Sequence, residues 1–221
     1  MQRAPWAVGL LFGLSAAVVI TLVGPLLLFN PWFTSALQVR HDVATALDTT
    51  QPEVERVTSS YLRDIYLDGP FDASLDGTTP LLDDDERSHM TDVSRLVRLL
   101  AGIAIVALIL AAVTGTWLRH EPRRQGRLML FAAGTIGVVA LLLAGVFAVA
   151  FEPAFLVFHQ LFFPPGTYLF AEGSELITLF PEPFWFDAAL AAGAAIIIVA
   201  LAVTVIGLRR WRGGRATTPA G

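Results

Sequence analysis

Cysteine is absent from the 221 residues, which removes disulfides, thiolate nucleophiles and cysteine metal ligands together. Lysine is absent too, so every cation is arginine. Charge of either sign is scarce, at 15% of residues against 55% hydrophobic, a mixture too apolar for a small water-soluble domain that needs a polar shell. Lipid must therefore solvate much of the chain. Several marks of familiar chemistry are also missing: there is no G-x-S-x-G elbow, no H-E-x-x-H helix and no phosphate-binding glycine loop. No basic groove with interleaved aromatics is present, which argues against nucleic acid as a partner. No internal repeat is evident, and the one low-complexity piece is the Gly/Arg/Thr/Pro tail after Trp211, expected to be disordered.

What is present is four nearly uncharged runs: Trp6 to Phe29, Leu99 to Leu118, Leu128 to Phe151 and Ala188 to Leu208. Each is long enough to cross a hydrocarbon core of about 30 Å as a helix. Helices are required there, because an open strand edge would leave backbone N–H and C=O groups unpaired in lipid. Arginine sets the expected orientation. Arg119, Arg123, Arg124 and Arg127 lie in the short link between the second and third runs, and Arg209, Arg210, Arg212 and Arg215 follow the fourth. By the positive-inside rule both stretches are cytoplasmic, as is the N-terminus with Arg3. The first run resembles a signal peptide in having Arg3 ahead of it and Ser35 and Ala36 after it. Its length and its internal Gly24-Pro25 pair favour an uncleaved helix.

The expected fold is an all-α membrane protein with four transmembrane helices, a small, mainly helical extracytoplasmic cap and an interfacial aromatic segment. The boundaries are 1–30, 96–118, 128–151 and 188–208 for the helices, 31–95 for the cap and 152–187 for the aromatic segment. Residues 119–127 form the cytoplasmic link and 209–221 the cytoplasmic tail. Thirteen of the nineteen acids fall between Asp42 and Asp92, so the cap is acidic. A helix is expected around Val54 to Leu67, and turns at Gly69-Pro70, Asp76-Gly77 and Pro80. Such a segment is expected to sit on the helices rather than stand alone. The aromatic segment holds eight phenylalanines, Tyr168 and Trp185 interrupted by Pro153, Pro164, Pro165, Pro181 and Pro183, a composition suited to the headgroup boundary.

Two histidines border the membrane on the outer side. Asp83 and Glu86 have capping-box spacing, and the acidic first turn suits the positive end of a helix dipole, so the second helix is expected to start near Asp84. His89, Asp92 and Leu96 then share a face, with Asp85 a turn earlier. At about 1.5 Å per residue, His89 stands roughly 15 Å before Leu99, in the headgroup zone. It reads either as a general base oriented by a neighbouring carboxylate or as a solvated histidine on an acidic helix end. His159, within Phe155-Leu156-Val157-Phe158-His159-Gln160-Leu161-Phe162-Phe163, has apolar neighbours that favour a neutral ring. It is a functional candidate or an interfacial anchor. Arg95 and Arg98 read as snorkelling to phosphates, Ser174 as the cap of a short helix through Phe180, and His41 and His120 as solvated. Glu172, Glu175 and Asp187 are further polar groups at this boundary. The spacings of His41, His89 and His159 carry no metal signature, so neither a metal nor a cofactor is expected.

Two segments resemble a family of four-helix bacterial integral membrane proteins that includes the lipoprotein intramolecular transacylase. They are Glu86-Arg87-Ser88-His89-Met90-Thr91-Asp92-Val93, and Phe158-His159-Gln160-Leu161-Phe162-Phe163 followed by Glu175-Leu176-Ile177-Thr178-Leu179-Phe180-Pro181-Glu182-Pro183-Phe184-Trp185. With the hydropathy profile the likeness spans nearly the whole chain. Pro164-Pro165-Gly166-Thr167-Tyr168 departs from the family, which is expected to be more polar there and to carry tryptophan. The resemblance implies acyl transfer on a diacylated lipoprotein: one ester-linked fatty acid of the diacylglyceryl-cysteine moves to that cysteine's α-amino group, giving the lyso form. It assigns the reaction to His89 and His159. Glu86, Arg87, Asp92, Tyr168 and Glu182 are expected to support the pair or hold substrate, and membrane lipid is the other expected partner.

That chemistry suits the residues. An α-amine of pKa about 8 needs only modest help from a base to attack an ester. An imidazole near neutrality at His89 can supply that help, and a neutral His159 can donate to the carbonyl oxygen. Nucleophile and ester share one molecule, so no protein nucleophile is needed. Two rival readings have different signatures. A non-catalytic scaffold binding a partner through its acidic outer region would tolerate histidine changes but not charge reversal at Asp83 to Asp85. A transporter would need central charges that the four runs lack.

Overall fold

The computed structural model describes residues 4–171 and 173–213. Arg3, Glu172, Arg215 and most of the low-complexity tail lie outside the described residues. The described residues form nine α-helices in chain order: α1 Trp6–Leu27, α2 Pro31–Arg40, α3 Val43–Ala46, α4 Gln51–Leu67, α5 Asp84–Trp117, α6 Pro122–Val149, α7 Phe151–Phe162, α8 Glu175–Leu179 and α9 Glu182–Gly213. A 3-10 turn, Leu118–His120, follows α5. Four of the helices, α1, α5, α6 and α9, are long and apolar enough to cross a membrane, and each holds most of one uncharged run. The differences lie at their ends. α1 stops at Leu27 rather than Phe29, because Asn30 caps the next helix and accepts from the Trp32 N–H, with Pro31 in its first turn. α9 continues past Trp211 to Gly213, so the first two residues of the supposed disordered tail are helical.

The chain forms two compact units. The first gathers Met1–Pro25, Ala101–Ala144 and Ala192–Gly221. Its helices meet through small residues. A Cβ on Gly24 would stand 2.6 Å from the Ala192 carbonyl oxygen, and one on Gly126 would stand 2.5 Å from the Gly207 carbonyl oxygen. Ile20, Ala133 and Ala200 form the buried cluster. Helices in lipid gain little from the hydrophobic effect between themselves, and close backbone approach is how they hold together. Polar contacts collect at one end. The Arg124 guanidinium donates to the Ala4 and Pro5 carbonyls at 2.6 and 3.0 Å, and Gln125 links the Gly115 carbonyl to Arg210.

The second unit comprises Leu26–Leu100 and Gly145–Ala191. Acidic and aromatic segments, read from the sequence as separate pieces, share one core here: Val54, Val57, Tyr61 and Ile65 of α4, Met90 and Val97 of α5, and Leu176 and Leu179 of α8. The expected helix is α4, with an apolar stripe at spacings of three and four. Asp68 ends it in the left-handed region. The Asp64 carboxylate accepts from the Phe71 N–H at 3.1 Å across the turn at Gly69-Pro70. Buried polar groups in this unit find partners: Ser94 donates to the Ile65 carbonyl, and Gln38 bonds Thr58 and the Leu179 carbonyl.

Candidate functional site

The first turn of α5 carries the expected capping box. Asp83 accepts from the Glu86 N–H at 2.8 Å, and the Glu86 carboxylate accepts from the Asp83 N–H at 2.9 Å. Glu86 is only 2% exposed, and its other oxygen accepts from the Ser174 hydroxyl and, at 3.0 Å, from the Leu176 N–H. One carboxylate therefore starts α5 and ties it to α8. Ser174 also caps α8 as expected, accepting from the Ile177 N–H. One turn beyond Glu86, the same buried stripe of α5 presents His89, 7% exposed.

The partner imidazole comes from α7. Phe151, Phe155, Phe158 and Phe162 recur at spacings of three and four, so aromatic rings flank His159 along the helix. Ring centroids of Phe155, Phe158, Phe163 and Tyr168 lie 4.2, 5.4, 5.4 and 5.3 Å from that of His159. Phe163 and Phe170 lie 4.9 and 5.5 Å from His89. The two imidazoles face each other, with centroids 6.1 Å apart and planes 24° from parallel. The residues that sequence patterns single out as His89 and His159 thus meet in one aromatic pocket of the second unit.

The ring nitrogens are not equivalent. His159 Nδ1 lies 2.8 Å from the Phe155 carbonyl oxygen. A carbonyl only accepts, so Nδ1 carries the hydrogen and the neutral ring offers a bare lone pair on Nε2. A donor role for neutral His159 toward the substrate carbonyl, expected from its apolar surroundings, is therefore not available: its one N–H is already used. His89 Nδ1 is buried with no hydrogen-bond partner. Burial, and next the neighbouring His159 ring, hold His89 down to about 4, while Asp92 and the Thr167 backbone carbonyl pull the other way. Burial also lowers His159, opposed by its bond to the Phe155 carbonyl. Both rings are neutral near pH 7.

The remaining expected residues divide. Tyr168 is at the site, its ring beside His159. Asp92 bonds Arg95 at 2.8 Å rather than His89, so it acts on the imidazole only through space. Arg87 pairs with Asp84, and Glu182 is exposed in the first turn of α9. Arg98 bonds Asp68 at 2.7 Å, so both expected snorkelling arginines have carboxylate partners. His41 is not simply solvated: its Nε2 lies 2.9 Å from Asp187, which Arg40 also contacts. His120 is exposed beside Arg119. Among the described residues, no group of three or more histidine, aspartate or glutamate side chains converges as a metal site. Sequence reading missed the two carbonyls of Phe155 and Thr167 and the rings of Phe163 and Phe170. Only the first had a signal, since residue 155 precedes His159 by one helical turn.

Known proteins resemble the chain as a whole. The model of the family described as lipoprotein intramolecular transacylase Lit matches residues 6–185. The solved structure of the membrane integral lipoprotein intramolecular transacylase Lit from Bacillus cereus is similar, with a TM-score of 0.82 and 19% identity over 96% of this chain and 97% of that one. Two structures of the same Bacillus cereus enzyme carry one histidine replaced by arginine or by alanine. Both have TM-scores of 0.75 and 19% identity over 96% of this chain, and 94% and 95% of theirs. At that identity the likeness speaks for the fold. No curated protein sequence matches. Given the family match over most of its length, the chain belongs to the lipoprotein intramolecular transacylase family and is a membrane-integral acyltransferase that acts on lipoproteins.

Proposed function

We propose that the substrate is a diacylated lipoprotein whose N-terminal cysteine carries a free α-amine, and that His159 Nε2 is the base for its intramolecular acyl transfer. The observation that supports this reading is the 2.8 Å bond between His159 Nδ1 and the Phe155 carbonyl, which leaves Nε2 as a lone pair within an aromatic pocket shared with His89. The neutral amine attacks the ester carbonyl, and a new N–C bond forms. Its proton passes to Nε2, then to the glyceryl oxygen as the C–O bond breaks, giving an amide and a free glyceryl hydroxyl. His89 offers its unpartnered Nδ1 to the amine's second N–H and orients the attack. Burial of both rings keeps them unprotonated and able to accept. Glu86 holds the start of α5 in place rather than touching substrate, and Arg87, Asp92 and Glu182 act at the rim.

The site would face the extracytoplasmic headgroup zone, with residues 1–30, 96–118, 128–151 and 188–208 in the membrane and both termini cytoplasmic. The arginines flanking the α5–α6 link and following α9 support that orientation. Mass spectrometry of lipoprotein N-termini, in cells expressing the parent, His89→Ala or His159→Ala, tests the assignment. Lyso-form product is expected from the parent only, with both variants inserted at parental levels. Parental conversion by the His159→Ala variant would remove the mechanism.

A further inference from the structure

We infer that the Tyr168 hydroxyl is the electrophilic catalyst of the reaction, donating a hydrogen bond to the ester carbonyl oxygen as negative charge develops there. The inference rests on the base assignment above and extends it. A neutral imidazole has one donor and one acceptor nitrogen. The donor of His159 is held by the Phe155 carbonyl. On His89, the Thr167 carbonyl favours protonation of the ring, and Nδ1 has no partner. The base assignment above takes that nitrogen as the second acceptor for the amine.

Two acceptors suit an amine with two N–H bonds, but neither helps a carbonyl oxygen becoming negative. The tetrahedral intermediate needs a donor from elsewhere. The other rings packed on the two histidines, Phe155, Phe158, Phe163 and Phe170, carry no polar atom. Tyr168 does. Its ring lies 5.3 Å from His159 at a 41° tilt, and it directly follows Thr167, whose backbone carbonyl raises the His89 pKa. Among the described residues no hydrogen bond engages its hydroxyl, and the side chain is half-buried, open to an incoming ester.

The test uses the purified full-length protein in detergent with a diacylated lipopeptide bearing a free N-terminal amine. Tyr168→Phe keeps the ring and removes the donor. Its kcat is expected to fall about 10²- to 10³-fold, the loss on deleting one oxyanion donor, with KM and thermal midpoint near parental. A fluorinated tyrosine at 168, a more acidic donor of nearly the same shape, is expected to keep kcat at or above the parental value, which a merely structural role would not produce. Parental kcat in Tyr168→Phe, with His159→Ala inactive, overturns this inference and leaves the base assignment standing. A loss in Tyr168→Phe matched by raised KM, or one that the fluorinated tyrosine shares, also overturns it. Activity in His159→Ala overturns both.

Discussion

The two units solve the problem of polar atoms in opposite ways. In the first, side-chain hydrogen bonds between helices gather at one end, where Arg124, Gln125 and Arg210 bond one another or backbone carbonyls. Its interior is held by the contacts of Gly24, Gly126, Ala133 and Ala200. The second buries Gln38, Thr58, Asp64, Glu86, His89 and Ser94, and satisfies nearly all of them. Among the described residues, the one buried side-chain nitrogen or oxygen without a hydrogen bond is His89 Nδ1. An unpaired buried polar atom costs about 1–3 kcal/mol, so this nitrogen stands apart from an otherwise satisfied interior. One unit coheres through close backbone contacts, and the other holds one unpaired nitrogen inside a satisfied polar interior.

Four substitutions or conditions break that contrast, in order of expected size. His159→Ala should lower kcat about 10²- to 10⁴-fold, the usual contribution of a general base, with the thermal midpoint little changed. Glu86→Ala comes next. It strips an acceptor from the Asp83 and Leu176 N–H groups and the Ser174 hydroxyl, and should destabilise by about 3 kcal/mol in chemical or thermal unfolding. An unchanged midpoint would mean that α5 and α8 are not joined through this carboxylate. Gly126→Leu should cost about 1–3 kcal/mol by forcing apart backbones whose contact leaves no room for a Cβ. Its kcat per folded molecule should stay near parental, since the first unit supplies no reacting group.

The smallest effect concerns pH. His89 titrates lower in the folded protein, at about 4, than the ordinary 6.5 of an unfolded chain. Between those values the unfolded chain binds the proton more tightly. Its contribution to stability is therefore complete above pH 6.5 and is lost as pH falls toward 4, by up to about 1.4 kcal/mol per pH unit. Thermal midpoints measured across that window should fall more gently for His89→Gln than for the parent. Equal slopes would show that the open nitrogen is not the group responsible.

Much of this was legible in the sequence because lipid leaves few options. A long uncharged run must be a helix, and α1, α5, α6 and α9 follow. The Asp83–Glu86 capping box is local, and its geometry follows from its spacing. His89 and His159 were visible as a pair because each interrupts a distinctive motif. Partners distant in sequence were not visible. Nothing in the pattern of Val54 or Ile65 says that Leu176 and Leu179 complete their core. His41 sits beside Arg40 and Asp42, and only the fold brings Asp187 to it. Asp92 had two neighbours within a turn, and the fully charged Arg95 won over a ring held neutral by burial. The tautomer of His159 depends on a backbone oxygen, which a one-letter code does not distinguish from any other.

In many histidine sites a carboxylate side chain orients the ring, and losing that residue loses the orientation. Here the orienting atom is the main-chain oxygen of residue 155, present whatever amino acid stands there. The proton's address on His159 is thus written into the pitch of α7. Drift at position 155 can alter how the pocket is lined, but it takes a break in the helix to change which nitrogen carries the hydrogen.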